Sequence, residues 1–529
     1  MSQQALTTAD TTPVQSHTDK ESEDIQPVQA IGQALPEKGF KDYILISFFC
    51  LLVAFGGFVF GFDTGTIGGF LNMSDFQQRF GELNEAGNYT VSDIRTGLIV
   101  SVFNVGCCIG GLFLSKIAEI YGRRIGLMFS MVIYIVGIAV QISSQYQWYQ
   151  VMVGRIISGL AVGTVSVLSP MFISETAPKS LRGPLVCCFQ LCITLGIFLG
   201  YCICYGTKDL TDSKQWRIPL GLCFLWALFL IVGMVFMPES PRYLVEKSRI
   251  DEAKKSIARS NKVESEDPFV YNEVHLIQAG IDREALAGSA SWMELITGKP
   301  AIFRRVIMGI TLTSLQQLTG INYFFYYGTT IFQAVGLEDS FQTSIILGTV
   351  NFVSTFAGIW AIERLGRRVT LLIGSVFMFI CLLIYSCIGS INLYRADGST
   401  NQTSGNVMIF ITCVYIFFFA STWAGGCYTI ISETYPLRIR AKAMAVATGA
   451  NWMLGFLISM LTPMITKAIN FYFGFVFSGS MLVSCFFVYF FVCETKGLTL
   501  EEVDQLYAAR VAPWKSTNWV PPTEEEVDA

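Results

Sequence analysis

Charge is scarce in this chain. Only 14% of its 529 residues are Asp, Glu, Lys or Arg, against about 25% in a typical soluble domain. Meanwhile 52% are hydrophobic, more apolar surface than one soluble core can hide, so lipid is the expected solvent. Histidine is scarcer still. His17 and His275 are the two, both in polar stretches, which leaves none for a metal site or an intramembrane proton relay. The first forty residues lack an apolar core, which excludes a cleavable signal peptide and reads as a disordered tail. A net charge of −4 offers nothing to nucleic acid. Nucleophile triads, clustered metal ligands and phosphate loops are missing too. An enzyme is not expected, nor a cofactor or metal.

Cysteine is plentiful, with fifteen, but its placement argues against a disulfide framework. Cys107, Cys108, Cys187, Cys188, Cys192, Cys202 and Cys204 sit inside apolar runs, where thiols serve as small packing residues.

Twelve apolar segments are long enough to cross about 30 Å of hydrocarbon. They lie near 43–71, 95–117, 125–145, 149–173, 184–206, 216–237, 306–334, 342–361, 369–391, 406–431, 441–466 and 470–492. The expected fold is an all-α membrane protein with twelve transmembrane helices in two six-helix bundles. Its parts would be a tail at 1–42, bundles at 43–237 and 306–492, a polar helical connection at 238–305 and a tail at 493–529. The connection shows a helical pattern around Asp251–Arg259. Basic clusters at Lys116/Arg123/Arg124, Lys179/Arg182, Arg364/Arg367/Arg368 and Arg438/Arg440/Lys442 all follow even-numbered spans. The positive-inside rule puts those loops and both termini in the cytoplasm. Three glycosylation sequons, at Asn72, Asn88 and Asn401, fall in loops assigned outside. Asn72 is too near the membrane, leaving Asn88 and Asn401 as acceptors.

The halves repeat. Glu119-x-x-Gly122-Arg123-Arg124 after span 2 matches Glu363-x-x-Gly366-Arg367-Arg368 after span 8, and Glu175 to Arg182 matches Glu433 to Arg440. Basic loops alone would fix topology, but that does not explain the matching glutamates. The favoured expectation is a cytoplasmic gate of salt bridges between bundles that rock about a central site.

Charge well inside the spans falls on Asp63 in span 1 and Arg155 in span 4. An isolated mid-span charge costs about 2.5–3.5 kcal/mol on insertion scales. Both lie in the outer half of their spans and should pair, either as a static bridge or as a pair that tracks transport or carries a proton. Neutral polar groups are more telling: Gln190 (span 5), Gln316, Gln317 and Asn322 (span 7), Asn351 (span 8) and Asn451 with Trp452 (span 11). Amides donate and accept, which suits a hydroxyl-rich neutral cargo. The rings of Tyr323, Tyr326, Tyr428 and Trp452 suit the C–H face of a sugar. Helix–helix glue is the competing reading for any single amide, but Gly320 inside the span 7 set also permits the broken helix that lines transporter sites.

Six segments, in order, resemble the sugar porters of the major facilitator superfamily: "GRR" at 122–124 and 366–368, "PESPRYL" at 238–244, "QQLTGIN" at 316–322, "SETYPLRIR" at 432–440 and "ETKGLTLEEV" at 494–503. "GFDTGTIGGF" at 61–70, "LGIFLGY" at 195–201, "NYFFYYGTTIF" at 322–332 and "PWKSTNWVPP" at 513–522 narrow the resemblance to yeast hexose transporters, especially glucose/xylose facilitators of Candida-type yeasts. The resemblance implies alternating access, an intracellular helical domain at 238–305, and sugar contacts at Gln190, Gln316, Gln317, Asn322, Asn351, Asn451 and Trp452. It gives Asn351 a part in choosing hexose or pentose. It extends the gate to Glu239, Arg242 and Glu494. The chain departs from the family pattern at Gly68, Thr313, Ile321, Gly425–Cys427 and Cys493, and Gly68, Thr313 and Gly425–Cys427 are expected to line the cavity.

The leading function is therefore uptake of a monosaccharide, a hexose such as glucose or else a pentose such as xylose, by facilitated diffusion across the plasma membrane. A proton–sugar symporter using Asp63 is the runner-up. A nutrient sensor is the reading from another class, disfavoured by the 37 residues after span 12. The expected partners are the sugar and the bilayer, with ubiquitin or trafficking machinery on the cytoplasmic tails.

Overall fold

A computed structural model describes residues 43–520, apart from 84–86, 178–180, 287, 289–290, 335–339, 394–400 and 499. Spans 1 to 6 are Ile44–Phe70, Asp93–Phe113, Arg123–Ile142, Trp148–Thr176, Arg182–Thr207 and Lys214–Phe236. Span 7 is two helices, Ile302–Gln317 and Ile321–Ala334, and spans 8 and 9 are Ser340–Leu365 and Arg367–Cys387. Span 10 runs Gln402–Phe418, a π turn at Phe419–Trp423, then Ala424–Thr434, and spans 11 and 12 are Leu437–Ile469 and Phe473–Phe491.

Among the described residues, ten helical stretches are long and apolar enough to cross a membrane. Two features reconcile ten with twelve. Arg438–Phe491 is one stretch by length but holds spans 11 and 12, joined by a tight turn at Asn470–Tyr472. Span 7 escapes because it is broken in the middle. The outer faces are apolar: on span 6, Leu225, Leu228, Phe229, Val232, Val235 and Phe236 are all exposed, a stripe at helical spacing that suits lipid.

The break in span 7 has a local cause. Gly320 adopts φ +85°, which an L side chain rarely takes. A Cβ there would also meet the Phe477 ring at 2.7 Å. The freed backbone is satisfied from the side: Tyr415 Oη donates to the Thr319 carbonyl at 2.8 Å, and Thr319 Oγ1 to the Gln316 carbonyl at 2.7 Å. Broken helices survive at membrane depth only with such partners.

The connection between the halves contains helices Pro241–Glu246, Ile250–Asn261, Pro268–Leu286 and Glu294–Thr297. Tyr243, Leu244, Val245, Ala253, Ile257, Ala258, Val270 and Val274 give it a small core of its own. After span 12, a helix at Leu500–Ala508 and a 3-10 turn at Pro513–Asn518 dock against the second half. Buried Arg305 pairs with Asp504 and stacks over Tyr507, and Ser516 Oγ accepts from the Glu494 N–H at 2.8 Å. The segment after span 12 is thus partly a structural element rather than a loose tail.

At the end opposite the helical connection, the halves meet closely. Asp93 pairs with Lys467 at 3.1 Å, Tyr201 Oη donates to the Phe325 carbonyl at 2.8 Å, and Gln342 Nε2 to Tyr205 Oη at 3.2 Å. A Cβ at Gly97 would meet the Met460 carbonyl at 2.6 Å. Further along span 11, a Cβ at Gly449 would meet Leu112 of the first half at 3.7 Å, an ordinary van der Waals contact. Beyond span 1 lie a short helix, Ser74–Phe80, and an antiparallel pair in which Glu82 faces Thr90 and Leu83 faces Tyr89.

Candidate functional site

The predicted ion pair is present and deeply buried. Asp63 and Arg155 are each 1% exposed. Arg155 Nη1 donates to Asp63 Oδ2 at 2.5 Å, Tyr134 Oη donates to Asp63 Oδ1 at 3.3 Å, and the guanidinium lies over the Phe103 ring at 4.3 Å. Tyr134 and Phe103 carried no signal beyond being apolar-run aromatics.

Four of the predicted amides form one chain across spans 7 and 11. Asn322 Nδ2 donates to Gln317 Oε1 at 2.7 Å, and Gln317 Nε2 to Asn451 Oδ1 at 2.8 Å. Asn451 Nδ2 donates to Gln316 Oε1 at 3.0 Å and to the Thr313 carbonyl at 2.8 Å. Gln316 Nε2 ends the chain on the carbonyls of Trp423 (3.0 Å) and Ala424 (3.3 Å) in span 10. Gln317 and Asn322 are half-buried, whereas Gln316 and Asn451 are buried. Gly320 brings Asn322 within reach of Gln317, because a continuous helix would place residues five apart on different faces.

The other predicted site residues lie outside this chain. Gln190 and Tyr428 are half-buried on spans 5 and 10, and Asn351 is buried on span 8. Trp452, nearly buried, packs edge-on against Phe60 at 5.8 Å. Tyr326 is buried in the second helix of span 7. Tyr323 is 1% exposed and wedged among Phe324, Phe473 and Phe477, so it is a core aromatic and not a sugar platform.

Two departures expected to line the cavity do something else. Thr313 is fully buried, and its Oγ1 lies within 3.0 Å of the Ala447 carbonyl on span 11. Gly68 sits in the seam, where a Cβ would approach the carbonyls of Phe325 and Tyr326 at 3.0 Å. Span 10 is irregular without proline. The π turn at Phe419–Trp423 ends where Ala424-Gly425-Gly426 begins, and an inserted residue of this kind is a recognised cause of a kink.

The charged ends of the expected gate pair within their own halves. Arg123 makes a bidentate pair with Glu175 (3.1 and 3.0 Å), and Arg367 does the same with Glu433 (3.1 and 2.9 Å). Both pairs lie within a half, not between halves. Glu239 and Glu494 act as carboxylate caps. Glu239 accepts from the N–H groups of Arg123 and Arg124 at 3.0 and 3.1 Å, and Glu494 from those of Arg367 and Arg368 at 2.9 and 3.1 Å. These amides open spans 3 and 9, where orphan N–H groups and the helix dipole favour an anion. Burial raises the Glu239 carboxyl above its ordinary value against the pull of those donors. Gly122 and Gly366, at φ +105° and +96°, leave room for the caps: a Cβ would stand 2.3 Å from Glu239 Oε2 and 2.7 Å from Glu494 Oε2. Ser240 and Thr495, each following its glutamate, donate hydroxyls to Glu175 and Glu433 at 2.5 Å. The sequence reading passed over them, although their matching positions after Glu239 and Glu494 were visible.

Of the remaining gate candidates, Glu119, Arg182 and Glu363 are exposed, Arg242 is half-buried in the helix Pro241–Glu246, and Arg440 Nε donates to the Tyr435 carbonyl at 3.2 Å. Arg124 and Arg368 donate to the carbonyls of Met237 and Tyr489, both at 3.0 Å. Of the sequons, Asn88 is exposed, Asn401 Oδ1 caps span 10 by accepting from Thr403 N–H, and Asn72 Nδ2 donates to the Gly68 carbonyl.

Comparison with known proteins agrees with this architecture. The low-affinity glucose transporter of Kluyveromyces lactis is 56% identical, over 96% of this chain and 91% of that protein. The low-affinity glucose transporter HXT3 of Saccharomyces cerevisiae is 57% identical over 92% of this chain and 87% of its own. Among solved structures, the inward-open xylose transporter XylE from E. coli superposes with a TM-score of 0.71 at 26% identity, covering 87% of this chain and 99% of that one. The proton:xylose symporter XylE bound to 6-bromo-6-deoxy-D-glucose gives the same score and identity. A family profile described as sugar (and other) transporter matches residues 49–507, and the chain belongs to that family, as a twelve-helix membrane transporter of the major facilitator fold and not an enzyme.

Proposed function

We propose that this chain takes up a hexose, glucose foremost, across the plasma membrane by facilitated diffusion, with a pentose such as xylose as a second cargo. The observation that carries this reading is the amide chain. Its half-buried members Gln317 and Asn322 are neutral, donate and accept, and sit beside the break in span 7. A neutral polyol needs such groups, and a charged cargo would need a counter-charge. The names of the relatives point the same way.

In this reading the helical connection and both termini are cytoplasmic. The seam at Asp93–Lys467 and Tyr201–Phe325 is then closed on the outer side. Rocking of the halves would open that seam in turn. Asn88, exposed on the outer side, is the better placed glycan acceptor, and the tails at 1–42 and beyond Val520 are the reach of ubiquitin or trafficking machinery. Proton symport is the second reading, prompted by the buried Asp63. Both Asp63 oxygens are already engaged by Arg155 and Tyr134, which favours a structural pair.

Uptake of labelled glucose in a yeast lacking its own hexose transporters tests both readings. Facilitated diffusion predicts uptake that survives an uncoupler and equilibrates without accumulation. Accumulation against a gradient, or collapse with the proton gradient, establishes symport instead. No growth on hexose despite surface expression would point to a sensor.

A further inference from the structure

We infer that Asn451 is not a sugar ligand but a positioning residue, which fixes the orientation of the two amides that meet the sugar. The inference rests on the proposed sugar cargo.

The argument starts from what a backbone carbonyl can do: it accepts and never donates. Gln316 lies against the carbonyls of Trp423 and Ala424, so it must present its NH2 there and its oxygen toward Asn451. Asn451 lies against the Thr313 carbonyl at 2.8 Å and Gln316 Oε1 at 3.0 Å. Both of its N–H groups are thereby committed. Its oxygen must face Gln317, which therefore turns its NH2 to Asn451 and its oxygen to Asn322. Reversing any one amide would set two oxygens against each other at hydrogen-bond distance.

Three carbonyls on two helices thus dictate the polarity of four side chains. Two features of this chain place them. The π turn at Phe419–Trp423 leads directly into the carbonyls of Trp423 and Ala424. Thr313 Oγ1 packs against the Ala447 carbonyl of span 11 as closely as against the Gly309 and Ile310 carbonyls of its own helix, while the Thr313 carbonyl serves Asn451. Asn451 is 3% exposed with both hydrogens used, so it has no donor left for a sugar. Gln317 and Asn322 are half-buried, and each commits one N–H to the chain. Their second N–H groups and the Asn322 oxygen are what the site offers to hydroxyls.

A double-mutant cycle separates a ligand from a positioning residue. The four proteins are the parent, N451D, Q317A and N451D/Q317A, with glucose uptake corrected for surface amount. N451D keeps shape but loses the NH2 that anchors the side chain on the Thr313 carbonyl and Gln316 Oε1, so the acceptor that orients Gln317 is no longer held in place. Its KM should rise about tenfold, on the scale of one hydrogen bond, with Vmax within about twofold. In the Q317A background the same change should move KM by less than twofold, because Asn451 acts through Gln317. If the two effects multiply, Asn451 meets the sugar independently and the inference is wrong. Should N451D fail to reach the membrane, N451L in the same cycle, read by tryptophan fluorescence on glucose addition to purified protein, decides by the same criterion. A parent that moves no sugar overturns the cargo reading, and this inference with it.

Discussion

The two halves of this transporter match at their charged ends and differ in their cores. At the ends, Gly122, Arg123, Arg124, Glu175, Glu239 and Ser240 in the first half correspond one for one to Gly366, Arg367, Arg368, Glu433, Glu494 and Thr495 in the second, with the same bonds in both. In the cores, the first half has spans with no mid-membrane break, the 3-10 turn at Leu114–Lys116 falling at the end of span 2, and an ion pair, Asp63–Arg155. The second has a broken span 7, a π turn in span 10 and an amide chain. The ends solve a problem that both halves share, closing a helix start at the membrane edge. The cores divide the labour: one half is bolted, and the other carries backbone irregularity and the groups suited to cargo.

The sharpest way to break this contrast is to unbolt the first half. Arg155→Met leaves the Asp63 carboxylate buried with only Tyr134, and removing one partner of a buried pair costs about 3–5 kcal/mol. Thermal unfolding of the purified protein should show the largest loss of any variant considered, with little at the surface of cells. If Arg155→Met unfolds like the parent, the pair is not the bolt, and its burial belongs to the transport cycle.

The matched ends give the next effect. Gly122→Ala and Gly366→Ala each force an L residue into a backbone region that costs about 1–3 kcal/mol and push a methyl onto the capping carboxylate. The two losses in unfolding free energy should be similar, within about 1 kcal/mol given the same bonds. A large loss in one half and none in the other would show that the geometric repeat is not an energetic one.

How much of this was legible beforehand follows from the range of the interactions. Twelve spans were readable because burial in lipid acts on composition over some twenty residues. Asp63–Arg155 was readable because opposite charges at one depth have few alternatives. Gly320 announced the break in span 7. The partners of the gate residues were not readable, because a sequence shows that Glu239 and Arg123 recur but not which half supplies the partner. Here the donors are backbone amides, invisible in residue identity. For the same reason Thr313 was assigned to the cavity: its hydroxyl answers a carbonyl on span 11, and Asn451 answers the carbonyl of Thr313 itself. The π turn at Phe419–Trp423 has no marker residue, and only the Gly425-Gly426 pair hinted at irregularity.

The finest distinction concerns the caps themselves and turns on pH. Glu239 titrates above its ordinary value because burial outweighs its N–H donors. The folded protein therefore holds that proton more tightly than the unfolded chain. By linkage, the Glu239 contribution to stability is fully present below the unfolded-state pKa and is lost as pH rises through the raised folded value. The effect is isolated by comparison with Glu239→Gln, which cannot titrate. As pH falls from neutral toward the carboxylate range, the melting temperature of the parent should improve relative to E239Q. Other carboxylates cancel in the difference. At neutral pH the two should be close, since E239Q escapes the cost of a buried charge but sets an NH2 against an N–H donor of span 3. A difference that stays flat over this range would mean that the cap is ionised at no cost, and that burial at Glu239 is matched by its donors.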